Sequence, residues 1–296
     1  MPENFASHFI TAPDGLKLHV RAYGSRALAS LPVICLPGLA RTAADFHALA
    51  GRLAGDQAQP RYVLAMDYRG RGKSDYNRDS GNYSFTTELA DVLAVLTALG
   101  IGPAVFVGTS RGGILAMLLA SVRPAAIAGV VLNDIGPVIE ARGLARIKSY
   151  LGKLPQPASM EEAAEILRRL FGAQFSKLTA EEWMDFARRT FKERDGRLVP
   201  DYDVKLAKTL QGISLEHALP PLWKDFEALA RVPLMVIRGA NSDVLSAATV
   251  TAMRARRSEL EAVEIADQGH APLLAEREII DRIGAFADGC NRPKRH

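Results

Sequence analysis

Short apolar runs alternate with helix-patterned segments along most of this chain, and that alternation constrains its fold more than any other feature. "PVICLPG", "RYVLAMD", "PAVFVG" and "IAGVVLND" are each about strand length and close to continuously apolar. Between them lie "AADFHALAGRLAG", "SFTTELADVLAVLTALG" and "RGGILAMLLASVRP", which carry apolar residues at helical spacing. In the second of these, Ser84 or Thr86 is the candidate N-cap and Gly100 the candidate C-cap. A strand apolar on both sides must be covered on both sides. The pattern therefore predicts a mostly parallel sheet with helices on both faces. It resumes at "VPLMVIRGA", "SAATVTAMRARR", "LEAVEIAD" and "APLLAEREIIDRIGAFADG".

Two parts of the chain break the rhythm. Near the start, "SHFIT" and "LKLHVRAYG" are joined by the turn signal "APDG", which predicts a hairpin. Between residues 137 and 220 no buried strand is evident, and "GLARIKSYLGK", "MEEAAEILRRLFG", "AEEWMDFARRTFKE" and "DVKLAKTL" read as helices. This segment is expected to be a helical lobe inserted after the fourth parallel strand. The core would then be built from residues 1–136 and 221–296, with "PPLWKDFEALA" as the helix returning to the sheet.

Composition narrows the class of partner. The 37 basic and 33 acidic residues leave a net charge of +4, part of it in the terminal "RPKRH". No basic stripe interleaved with aromatics is present, so nucleic acid is not expected as a partner. No apolar stretch approaches the ~18 residues of a membrane span, and no secretory leader is read at the N-terminus. Two cysteines, Cys35 and Cys290, do not suggest a disulfide framework, and a cytoplasmic location is expected. No metal-ligand cluster is apparent.

The chemistry centres on "VGTSRGG". Gly108-Thr109-Ser110-Arg111-Gly112 is a G-x-S-x-G pattern placed between a predicted strand and a predicted helix. A serine held out at the end of a strand needs a strained turn whose flanking positions tolerate almost no side chain, and glycines supply that room. Ser110 is therefore the candidate nucleophile. It needs a base, and the base needs an orienting carboxylate. Of the six histidines, His8 and His19 lie in the hairpin, where an edge or surface role is expected; His47 is in a helix, His217 late in the lobe and His296 at the terminus. His270 follows a predicted strand and so shares the carboxyl edge of the sheet with Ser110. Asp67, Asp134, Asp243 and Asp267 also follow predicted strands. Asp243 is the first choice of acid and Asp134 the alternative, while Asp67 and Asp267 fit structural roles. The developing oxyanion calls for backbone donors, expected from the N–H groups of Leu39 and Arg111, with Gly38 allowing close approach.

These residues together resemble the α/β-hydrolase superfamily, in its lid-bearing esterase and lactonase-like branch. The likeness runs through "CLPGL", "DYRGRGKSDY", "VGTSRGG", "LNDIGP", the helical lobe, "GANSD" and "QGHAP". It implies an α/β-hydrolase fold with an inserted helical lid and a triad of Ser110, Asp243 and His270, needing no cofactor. Asp67 to Ser74 match a structural hallmark of that group. Where many relatives carry His-Gly in the first oxyanion loop, this chain has Pro37-Gly38. A serine at the nucleophile position argues against the aspartate-nucleophile chemistries of the same fold.

The reaction this implies is two-step acyl transfer from a small-molecule acyl substrate, a carboxylic ester or lactone. The same parts could serve an amide or a carbon–carbon bond flanked by carbonyls, or a receptor with slow turnover. Tyr150, Phe171, Phe175, Trp183 and Phe191 are the lobe aromatics that could line a pocket, though joining lobe to core is the favoured role for each. Arg41 or Arg111 is a candidate to receive a substrate carboxylate. The oligomeric state is not legible.

Overall fold

The computed structural model of the chain describes residues 4–213 and 219–291. His217, His296 and the "RPKRH" tail lie outside the described residues. The chain opens with the expected hairpin, β1 (Ala6–Thr11) and β2 (Lys17–Tyr23), paired antiparallel. Then β3 (Val33–Leu36), α1 (His47–Gly55), β4 (Val63–Met66), α2 (Phe85–Ala98), β5 (Ala104–Thr109), α3 (Arg111–Val122) and β6 (Ile127–Asn133) alternate as the apolar rhythm requires. An insertion follows: α4 (Ala141–Tyr150), α5 (Met160–Phe171), α6 (Ala180–Thr190), β7 (Phe191–Arg194) and β8 (Arg197–Pro200). The chain returns through α7 (Trp223–Glu227), β9 (Leu234–Gly239), α8 (Ala247–Arg256), β10 (Glu261–Ile265) and α9 (Arg277–Cys290).

The eight-stranded sheet has the order β1-β2-β4-β3-β5-β6-β9-β10. Every pair from β4 to β10 is parallel, and β2 meets β4 antiparallel. Period-2 alternation divides β5 between two cores. Phe106 packs with Leu115, Leu132 and Phe226 on one face, and Val105 and Val107 pack with Phe46 and Ile283 on the other. Burial on both faces is why these strands read as continuous apolar runs rather than as alternating ones. Phe226 of α7 belongs to the first of these cores, so the chain has rejoined the sheet by that point.

The lobe differs from its sequence reading at two places. "AEEWMDFARRTFKE" does not continue as helix; the chain becomes extended at Phe191 and forms a hairpin with β8. Asp195 and Gly196, with φ of 51° and 73°, make its two-residue turn, for which Asp-Gly is a favoured pair. "DVKLAKTL" is a 3-10 helix rather than an α-helix. Ser84 rather than Thr86 caps α2, its side chain accepting from the Thr87 N–H. His19, expected at an edge, is fully buried between Asp67 (Nδ1 to Oδ2, 2.7 Å) and Ser7 (Nε2 to Oγ, 3.0 Å). Both cysteines are free, and burial pushes the Cys290 thiol up to about 11. No described helix is long and apolar enough to cross a membrane.

Candidate active site

Ser110 sits between β5 and α3 with φ 50° and ψ −112°, a left-handed conformation that a non-glycine residue adopts only under constraint. The constraint comes from both sides. A Cβ on Gly112 would strike the Leu36 carbonyl of β3, and one on Gly108 would come within 2.5 Å of the Gly113 nitrogen. The strand and helix are thus too close for any side chain at the flanking positions. Backbone bonds fix the turn as well: Ser110 N–H donates to Asn133 O at 2.9 Å, and Gly113 N–H donates to Ser110 O at 2.9 Å.

His270 Nε2 lies 2.9 Å from Ser110 Oγ, and its Nδ1 lies 2.7 Å from Asp134 Oδ2. The arrangement that satisfies both contacts has Nδ1–H donating to Asp134 and Ser110 O–H donating to Nε2. Asp134 is fully buried at the end of β6, with φ 55°. Its Oδ1 accepts from Gly239 N–H at 2.9 Å, and Oδ2 accepts a second bond from Ser242 Oγ at 2.5 Å. The loop bearing His270 is pinned by three amides. Asn133 donates to Pro272 O, Leu273 N–H donates to Gln268, and His270 N–H donates to Gln174 of the lobe.

This placement corrects the first choice of acid. Asp243 does follow β9, but both of its oxygens are taken by Arg146 of α4, at 2.6 and 2.9 Å. Burial raises the Asp243 carboxyl, yet the hydrogen bonds and charge of Arg146 outweigh it and hold the group below its ordinary value. Asp134, the alternative, is the carboxylate that meets His270. Chain order could not separate the two, because both lie between Ser110 and His270. Asp267, as expected, has a structural place, bound by Ser176 and Lys177 of the lobe.

Leu39 and Arg111, the residues expected to supply oxyanion donors, both lie close to Ser110 in the cavity wall or in the chain. Leu39 lines the same cavity as Ser110, and a Cβ on Gly38 would lie 3.9 Å from Ser110 Cβ. Arg111 opens α3, where a backbone N–H has no intrahelical acceptor. The Arg111 side chain points elsewhere, which corrects one candidate for carboxylate binding. It is buried, donates from Nε to Glu88 Oε2 at 2.5 Å and from Nη2 to Tyr83 O at 2.9 Å, and stacks on Phe85. Glu88 also accepts from Arg71 at 2.7 Å, and Arg71 Nε donates to the Leu39 carbonyl at 2.8 Å. The "DYRGRGKS" segment thereby acquires a purpose that sequence reading missed: Arg71 fixes the backbone of the Leu39 loop. Its glycines make room for neighbours, since Gly70 lies against the Tyr83 ring and Gly72 against the Asp67 carboxylate, both at positive φ.

A cavity over Ser110 and His270 is lined by the Pro37–Arg41 loop and by the lobe. Tyr150, Phe171, Phe175 and Phe186 form its aromatic wall. Trp183 does not line it. That candidate is buried inside the lobe, stacked on Phe186 with ring centroids 5.9 Å apart, and Phe191 is buried in the same cluster. Arg41 does line it, but its Nε and terminal nitrogens are held by Asp45 (2.6 and 2.5 Å) and Thr190 (2.7 Å). Arg189 of α6, not singled out from sequence, lines the cavity beside it. Its neighbours "RRT" gave no sign of which arginine would face inward. Among the described residues, no group of three or more His, Cys, Asp or Glu is arranged to hold a metal ion.

Comparison with known proteins identifies the family and the fold. A sequence model of the alpha/beta hydrolase family matches residues 33–282. The chain is 32% identical over 279 residues to a 3-hydroxybutyrate-oligomer hydrolase of Cupriavidus necator, covering 90% of this chain and 92% of that one. It is 24% identical to a 2-(acetamidomethylene)succinate hydrolase of Mesorhizobium japonicum, covering 90% of each. A crystal structure of an alpha/beta hydrolase from Novosphingobium aromaticivorans superposes with a TM-score of 0.89 at 40% identity, covering 97% of this chain and 99% of that one.

Proposed function

Because the chain belongs to the alpha/beta hydrolase family, we propose that it is a serine hydrolase cleaving a small carboxylic ester or lactone through an acyl-enzyme on Ser110. The observation that carries this reading is the unbroken relay from Ser110 Oγ to His270 (2.9 Å) and from His270 to Asp134 (2.7 Å). His270 takes the Ser110 proton as Oγ attacks the carbonyl carbon. Asp134 holds the imidazole with Nε2 free to accept and stabilises the cation that forms. The Leu39 and Arg111 amides receive the oxyanion. His270 returns the proton to the leaving alkoxide, then deprotonates the water that attacks the acyl-enzyme and passes that proton to Ser110 Oγ as the acid leaves. Every proton and electron pair in this sequence comes from the ester, water or these side chains, so the proposal needs no cofactor.

Kinship with the oligomer hydrolase of Cupriavidus necator favours an ester among the bonds this machinery could open. The test is labelling by a fluorophosphonate together with turnover of p-nitrophenyl butyrate. Wild-type protein is expected to label and to release p-nitrophenol over many turnovers, and Ser110→Ala to do neither. Full labelling of Ser110→Ala would refute Ser110 as the nucleophile. Stoichiometric release that stops after one equivalent would point to a slow-turnover receptor.

A further inference from the structure

The charges lining the cavity do not balance. Two guanidiniums, Arg41 and Arg189, face one carboxylate, Asp45. Asp45 gives both oxygens to Arg41 in a bidentate pair, at 2.6 and 2.5 Å. Arg189 is left 3.6 Å from Asp45, too far for a hydrogen bond. Its buried Nε has no hydrogen-bond acceptor among the described residues. The adjacent Arg188 turns outward to Asp185, so α6 directs one arginine to solvent and the next to the cavity. Burial above all, and then the positive charge of Arg41, pull the Arg189 guanidinium below its ordinary value, with Asp45 and Asp185 opposing. A guanidinium poorly solvated and short of acceptors gains from an incoming anion, and its planar fork suits a carboxylate.

We propose that Arg189, backed by Arg41, receives a carboxylate carried by the substrate, so that the ester opened at Ser110 belongs to a short acid with a free carboxylate at its far end. The inference rests on the reading of Ser110 as the acyl acceptor. Arg189 and Ser110 line one continuous cavity. The wall they share is apolar, with Ile147, Leu154, Phe171 and Phe186 placed to cover an aliphatic body. A neutral ester would fill that wall and leave Arg189 without an acceptor.

The experiment compares mono-p-nitrophenyl glutarate with its methyl ester, which differ in one negative charge. Wild-type kcat/KM is expected to favour the acid by about tenfold or more, chiefly through KM, and the preference should shrink between 50 and 500 mM NaCl. In Arg189→Met the ratio of acid to neutral kcat/KM should fall by about 10- to 100-fold, the range of one charge-assisted hydrogen-bonded contact, and Arg189→Lys should restore part of it. A wild-type ratio at or below one overturns the proposal, and so does a ratio unchanged in Arg189→Met whatever the absolute rates. Should Arg189→Met fail to fold, the wild-type pair and its salt dependence decide alone. Calorimetry of glutarate binding to Ser110→Ala, with and without Arg189→Met, separates the two readings. Arg189-dependent binding without ester turnover sinks the hydrolase reading alone. Turnover without preference for the acid sinks the carboxylate site alone.

Discussion

Asp134→Asn is the substitution that discriminates most sharply between the two candidate acids. The carboxylate has a different donor on each oxygen: Gly239 N–H on Oδ1, and Ser242 O–H with His270 Nδ1 on Oδ2. An asparagine must place its NH2 against one of them. Facing Gly239, it opposes a backbone donor that cannot turn away. Facing His270, it forces the imidazole into the tautomer with Nε2 protonated, which cannot accept the Ser110 proton. Loss of the orienting acid in this arrangement costs about 10³- to 10⁴-fold in kcat, or about 4–5 kcal/mol of barrier. Asp243→Asn acts on a different element. It strips the charge opposite Arg146, in a pair whose side chains are 21% and 11% exposed. A fully buried pair broken on one side loses about 3–5 kcal/mol; with this much solvent access the expected loss is about 1–3 kcal/mol of stability and less than tenfold in kcat. The assay is kcat on p-nitrophenyl butyrate, with thermal unfolding by circular dichroism to show that each variant is folded. A folded Asp243→Asn protein as inactive as Asp134→Asn, or an Asp134→Asn protein keeping a tenth of wild-type kcat, would refute the reasoning and return the acid role to Asp243.

Asp243 also carries a pH signature. Its carboxyl is held low in the folded chain, so its contribution is present above the ordinary carboxylate range near pH 4 and is lost as pH falls through the folded value. The gap in unfolding temperature between wild type and Asp243→Asn should therefore be open at pH 7 and narrow as pH falls below the ordinary carboxylate range; a gap independent of pH would count against the ion pair. Arg71→Met removes the donor to the Leu39 carbonyl and leaves the buried Glu88 with Arg111 alone. It should cost about 3–5 kcal/mol in urea unfolding, as one-sided loss of a buried pair does, and lower kcat while the protein is still folded. Unchanged kcat in folded Arg71→Met would show that the Leu39 loop holds its shape without that bond.

The features legible in the sequence were those enforced by backbone geometry. Gly108 and Gly112 could be read because the turn around Ser110 leaves no room for a Cβ on either side of it, against the Gly112–Gly113 backbone for Gly108 and against the Leu36 carbonyl of β3 for Gly112. His270 could be read because a parallel sheet gathers its post-strand loops at one edge. The choice between Asp134 and Asp243 was not fixed by the backbone in this sense. Both follow strands, both precede His270 in the chain, and what separates them is Arg146, which approaches from an inserted helix some hundred residues away and takes both oxygens of Asp243. The same holds for charge in the cavity. Arg41, Arg111 and Arg189 are equally basic as letters, but Glu88 draws the Arg111 side chain into the core, Asp45 occupies Arg41, and Arg189 alone of the three is left without a hydrogen-bonded carboxylate among the described residues. Partner choice among buried charges is decided by which long-range pair satisfies its acceptors first, and that competition leaves no periodicity to read. It also explains why "DYRGRGKS" is recognisable as a motif while its purpose is not. Its glycines answer to neighbours in the fold, and Arg71 answers to a carbonyl 32 residues earlier in the chain, on the loop expected to hold the oxyanion.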